Sequence, residues 1–222
     1  MRQDKQTAIL LRKSGESYKK ISEITGVPKS TLSNWFSGVA WSEKTKKHLS
    51  ELARANARER MTVISHKKRE ELRENYGRQR IIAKKQFKKF FKERLFIAGL
   101  MIYWGEGDNK LEDGVIRVAN SDPLMIKLFY KFLKTYLPEI SQKAKIYLVL
   151  YPDLNEATCQ RYWSEKVGFS VDRFIKSSFI KGRCPTKRLA YGIGTITISS
   201  RLYKESIMSW LDLAKREDIT RV

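Results

Sequence analysis

Hydrophobic positions change their spacing along this chain, and each change marks a different kind of structure. Near the N-terminus, apolar residues recur at helical intervals broken by short turn-forming clusters. Ala8, Ile9 and Leu11 open one apolar face, and Ser14-Gly15 ends that helix. Ile21 and Ile24 recur at helical spacing until Gly26, which can take the positive φ of a sharp turn. Pro28 suits the first turn of a third helix, where its missing N–H costs nothing. Leu32, Trp35 and Phe36 then pack that helix back onto the first two. Residues 42–94 contain a single glycine, Gly77, and no proline, which predicts one or two long helices with Gly77 as the break. Their Leu49, Leu52, Met61, Ile64, Leu72, Ile81 and Ile82 are too irregular for a heptad seam.

From residue 95 the pattern mixes helical and alternating periods. "FIAGLMIYWGEG" is an apolar helix that stops at Glu106 between Gly105 and Gly107. Ile116 and Val118 alternate with Val115, Arg117 and Ala119, as in a strand covered on one side. Ser121-Asp122-Pro123 starts a helix with Leu124, Ile126, Leu128, Phe129, Phe132 and Leu133 on its packed side, closed by Pro138. "KAKIYLVLYPD", "RFIKSSFIKG" and "YGIGTITISS" read as strands, with helices over "NEATCQRYWSEKVG" and "RLYKESIMSWLDLAKR". The order α, β, α, β, α, β, β, α predicts an α+β domain, a sheet backed by helices on one face. Three regions result: an all-α domain at 1–41, a basic helical connector at 42–94 and the α+β domain at 95–222.

Charge narrows the function. The 222 residues carry 45 Lys and Arg against 24 Asp and Glu, a net +21. That surplus predicts a polyanionic partner, because cations release the counterions condensed on nucleic acid. An anionic membrane would need an amphipathic helix with a clean apolar stripe opposite the cations, and the basic stretch has none. No apolar run approaches the ~18 residues of a membrane span. No charged-then-apolar leader opens the chain, so a cytoplasmic protein without a membrane partner is expected. Cys159 and Cys184 form no CxxC, and His48 and His66 have no metal-ligand spacing, so reduced structural thiols are expected. Charge alone does not separate DNA from RNA.

Two surfaces could read a duplex. The third helix turns Ser30, Ser33, Asn34 and Ser37 outward with Lys29 and Thr31 at its edges, short polar groups that reach base edges and phosphates. The run "GVPKSTLSNW" resembles the helix-turn-helix of resolvases and sigma factors. In the α+β domain, alternation sends Ile116, Val118, Ile146, Leu148, Leu150, Ile196 and Ile198 toward the helices. It leaves Arg117, Lys145, Tyr147, Tyr151, Thr195, Thr197 and Ser199 on the opposite face. Lys181, Arg183, Lys187 and Arg188 form a basic turn suited to phosphates.

"FIAGLMIYWGEGDNK…VIRVANSDPLMIKLFYKFL" resembles the motif helix, strand and helix of LAGLIDADG proteins, and "RYWSEKVGFSVDRFIKSSFIKG" and "YGIGTITISSRLYKESIMSWLD" resemble later segments of the same family. The likeness spans residues 95–214 or so. It implies a homodimer on double-stranded DNA, with Glu106 as catalytic and metal-binding carboxylate holding Mg²⁺ if the protein cuts. In this alignment Trp104 stands where the family has its first Asp, and Leu100 and Met101 stand where small residues let two helices touch. The family's fold also serves regulators that bind without cutting. Sequence-specific, non-cleaving duplex binding is the expected function, and a Mg²⁺-dependent homing-type endonuclease is the alternative.

Overall fold

The computed structural model describes residues 3–180 and 189–217. The chain divides into two compact units, Met1–Glu71 and Leu72–Val222. Helix α4 (Ala40–Phe90) contributes to both and runs through Gly77 without the expected break. A helical glycine costs only ~1 kcal/mol against alanine. Packing of Ala83 and Phe87 into the second unit's core outweighs that cost. The stretch expected as a connector is therefore shared, and its last part is core.

In the first unit, α1 (Gln3–Lys13), α2 (Tyr18–Thr25) and α3 (Lys29–Phe36) enclose Ala8, Ile21, Leu32 and Phe36. Ser17 caps α2 by accepting from the Lys20 N–H, and Gly26 ends it at φ 70°, as the turn required. Ile24 departs from expectation: it is exposed at the last turn of α2, while Ile21, one turn earlier, is the residue of that helix that enters the core. So small a core needs a second tie. Arg12 supplies it, buried and stacked 4.4 Å over the Tyr18 ring while donating to Ser42 Oγ at 3.1 Å and the Ser42 carbonyl at 3.0 Å.

The second unit is a mixed helix-and-sheet domain. After α5 (Arg94–Glu106) come β1 (Val115–Asn120), α6 (Pro123–Tyr136), the single turn α7 (Pro138–Ser141) and β2 (Lys145–Leu150). Then follow α8 (Glu156–Val167), β3 (Ser178–Phe179), β4 (Ile193–Ser199) and α9 (Arg201–Arg216). The sheet order is β1-β4-β2-β3, with β4 antiparallel to both neighbours and β3 parallel to β2. Ile116, Val118, Ile146, Leu148, Leu150, Ile196 and Ile198 all point into the core, the face that alternation assigned them. Asp122 caps α6, with Pro123 in its first turn. Leu124 and Leu128 are exposed rather than packed. At 100° per residue both lie across α6 from Ile126, Phe129 and Leu133, which fill the core instead.

Phe96 is the hub of that core, with ring centroids of Tyr136 and Trp210 each at 5.1 Å and Phe90 at 5.6 Å. Trp210 Nε1 donates to the Ala83 carbonyl at 2.9 Å, tying α9 to the end of α4. Gly99 faces inward: a Cβ there would lie 2.2 Å from Phe132 Cγ. Gly99→Ala forces that ring aside, and such overpacking costs ~1–3 kcal/mol, while helix propensity returns at most ~1 kcal/mol. A urea midpoint lowered by about 1–2 kcal/mol of stability is expected. An unchanged midpoint would show that Phe132 yields without strain.

Candidate nucleic-acid interface

Helix α3 sorts its residues by height above the core. Leu32 and Phe36 are buried, Trp35 and Thr31 are half-buried, and Lys29, Ser30, Ser33 and Asn34 are exposed. The short side chains leave the helix surface shallow, so a groove edge can come close to its backbone. Lys5 sits 5.6 Å over the Trp35 ring and adds a cation beside that face. Of the six residues read from sequence for this helix, Lys29, Ser30, Thr31, Ser33 and Asn34 are on α3, and Ser37 is its exposed C-cap.

The second surface is the sheet face opposite the helices. Register places Arg117, Thr197 and Lys145 in one row across β1, β4 and β2, and Ala119, Thr195 and Tyr147 in the next. Lys145 and Ser199 are exposed, and Arg117, Thr197 and Tyr147 are half-buried. Two expected members are corrected. Thr195 is 1% exposed, closed in at the centre of the sheet, and Tyr151 is buried beyond the end of β2. Neither presents a donor at the surface. Lys181, Arg183, Lys187, Arg188 and Cys184 lie outside the described residues. Cys159 is buried with a free thiol, and burial raises its pKa, which suits a structural role.

Glu106 ends α5 and is exposed. The glycines on either side of it differ in what requires them. Gly107 has φ −89°, so no left-handed turn is made there; instead a Cβ would collide with the Tyr103 carbonyl at 2.3 Å. At Gly105 a Cβ meets nothing within 4 Å.

The carboxylate with a built environment is Asp108, which sequence reasoning did not single out. Its N–H donates to the Arg117 carbonyl at 3.0 Å, next to a bridge between Gly107 and Val118 that covers the outer edge of β1. Its Oδ1 accepts from the Lys110 N–H at 3.0 Å and faces Lys204 Nζ at 3.7 Å. Its Oδ2 accepts from Arg117 Nη1 at 3.4 Å. Lys204 is fully buried and also donates to the Lys110 carbonyl. The Lys110 amide first, then the Lys204 and Arg117 charges, hold the Asp108 pKa below the usual carboxylate range. Burial lowers Lys204 more than Asp108 raises it, so the lysine bears the cost of the pair. Tyr103 Oη donates to the Asp108 carbonyl at 2.7 Å, and burial raises that phenol's pKa. A clue lay in the sequence: Lys204 shares a helical stripe with Ile207, Leu211 and Ala214, and a lysine there calls for a buried acid.

These contacts bear on Mg²⁺. Among the described residues, no group of three or more His, Cys, Asp or Glu side chains is placed to hold a metal. Asp108, two residues from Glu106, is taken up by two cations. Of the two acids at this helix end, Glu106 alone has no cation partner among the described residues, and a single carboxylate is a poor site for a hard six-coordinate cation.

The Asp108 environment also predicts acid behaviour. Its folded pKa is depressed, so its stabilisation is complete above the unfolded value near ~3.9 and is lost as pH falls through the lower folded value. Asp108→Asn should lose ~1–3 kcal/mol at neutral pH, since it leaves a buried ammonium poorly paired. It should also flatten the fall in stability below about pH 4, read by urea unfolding at a series of pH values. Parallel acid limbs in the two proteins would contradict the pairing. Compared with known proteins, the chain matches no family model, no curated protein and no solved structure.

Proposed function

We propose that this chain binds double-stranded DNA sequence-specifically and without cutting it, as a regulator does. The observation that carries the reading is the sorting of α3: Lys29, Ser30, Ser33 and Asn34 outward, Leu32 and Phe36 inward, on a chain of net +21. Short donors and acceptors read base edges, and the surplus cations supply the salt-sensitive attraction to phosphate. The row Arg117–Thr197–Lys145 is the second reading surface. A second copy of the chain is the other partner we propose. Its support is the half-buried apolar stripe Ala98, Met101 and Ile102 on α5; Gly99, by contrast, is spent against Phe132 within the chain. Among the described residues, no helix is long and apolar enough to cross a membrane.

The commitment of Asp108 to Arg117 and Lys204 favours binding over cleavage. One observation keeps the nuclease reading as second: Glu106 is exposed, and no described residue pairs with it. Two copies meeting at α5 would bring two such carboxylates, the minimum from which a Mg²⁺-dependent cut could be built.

Affinity for a selected duplex should fall at least about a hundredfold between 50 and 200 mM salt, as expected when several phosphates are neutralised. Ser33→Ala with Asn34→Ala should weaken that binding by ~1–3 kcal/mol per lost base contact and erase part of the footprint. Unchanged affinity in the double variant would remove α3 from the interface. Incubation with Mg²⁺ should leave the duplex intact; strand breaks abolished by Glu106→Gln would install the nuclease reading instead.

A further inference from the structure

Arg117 is held before any ligand arrives. Its Nη1 donates to Asp108 Oδ2, and its Nε is enclosed with no hydrogen-bond partner among the described residues. Its side chain is 42% exposed, so the rest of the guanidinium reaches the surface. Asp108 is fixed in turn on both backbone and side chain: to the Arg117 carbonyl, the Tyr103 hydroxyl, the Lys110 amide and the Lys204 ammonium. The carboxylate therefore cannot follow the arginine. The arginine must follow the carboxylate.

A guanidinium has five N–H donors in one plane. With Nε shut in and one N–H of Nη1 spent on Asp108, the donors left are the second N–H of Nη1 and the pair on Nη2. Those form the end-on fork. It matches two adjacent acceptors, which guanine offers through O6 and N7 in the major groove, whereas adenine places a donor beside its N7. Holding the fork in advance also removes part of the rotamer entropy that a loose arginine loses on binding.

We propose that Asp108, braced by Lys204, is a positioning residue that presents the Arg117 fork end-on from the sheet edge, so that Arg117 reads a guanine in the target. The inference rests on the outer sheet face being a DNA surface. Thr197, next in the row, is half-buried and shorter, and Lys145 at the row's far end carries three rotatable donors with no fixed fork. Base discrimination in this row thus concentrates at Arg117, and Lys145 contributes phosphate attraction.

The test uses the full chain. A duplex is selected from a random library, and every single-base substitution in it is then competed against the parent. The wild type should show one guanine preferred by about 5- to 150-fold, and Arg117→Ala should level that position alone. Asp108→Asn should cut the same preference at least about fivefold while leaving the salt slope unchanged, since no phosphate contact is lost. Because Asp108→Asn strands Lys204, the double variant Asp108→Asn with Lys204→Met removes both buried charges together. Folded by its thermal transition, it should show the same selective loss. Full guanine preference in both variants overturns the positioning role while the sheet remains a DNA surface. Preferences that survive Arg117→Ala at every position overturn the sheet reading itself.

Discussion

Burying Lys204 is the constraint from which the candidate interface follows. The residue lies in the first turn and a half of α9, where the helix dipole already disfavours a cation, and its side chain has no exposure to water. An ammonium in that position requires a carbonyl and a carboxylate, and the Lys110 carbonyl and Asp108 provide them. Satisfying Lys204 brings residues 108–110 against the start of α9. That same placement lays Gly107 and Asp108 along the free edge of β1, covering N–H and C=O groups that would otherwise invite another strand. The path from α5 to the sheet is therefore set by one buried charge.

The aromatic cluster makes the path rigid. Phe96 on α5 meets rings from α4, α6 and α9, so the helix that delivers residues 106–108 is locked on three sides. The sheet lies under the same cluster through Ile116, Val118 and Ile196. Side chains on its outer face accordingly stand on strands whose register is over-determined: a slip of β1 by one residue would expose Ile116 and Val118 and bury Arg117, and a slip of β2 would expose Ile146, Leu148 and Leu150 and bury Lys145.

The parts of this architecture legible in the sequence are those written in local period. Alternation assigned both sheet faces, and Gly26 and Asp122 announced a turn and a cap because one conformation there suits one residue type. Period fails where neighbours decide. Thr195 alternates outward like Thr197 on the same strand, yet in its row between Ala119 and Tyr147 it is buried. Leu124 and Leu128 are apolar and adjacent to a packed stripe but lie on the far side of the helix. Gly77 looked like a break because propensity weighs against helix, and packing at Ala83 and Phe87 overrode it. The Asp108–Lys204 pairing was illegible for a stronger reason: Lys204 on an apolar stripe calls for some acid, but Asp108 stands 96 positions away and nothing local couples the two.

The two acids at the end of α5 differ in what a nearby phosphate would cost them. Asp108 carries its own counter-charges, so it can sit at a DNA surface without repelling the backbone, and its partner Arg117 still offers donors. Glu106 has no such compensation among the described residues, and an exposed carboxylate within ~10 Å of phosphate is only partly screened at 0.1 M salt. A chain that merely bound DNA would gain by removing that charge, unless the α5 terminus stands clear of the backbone or a cation comes between them. The chemistry of the interface therefore turns on Glu106. Its charge is tolerable at a distance from DNA or in the company of a metal, and it is a liability anywhere between.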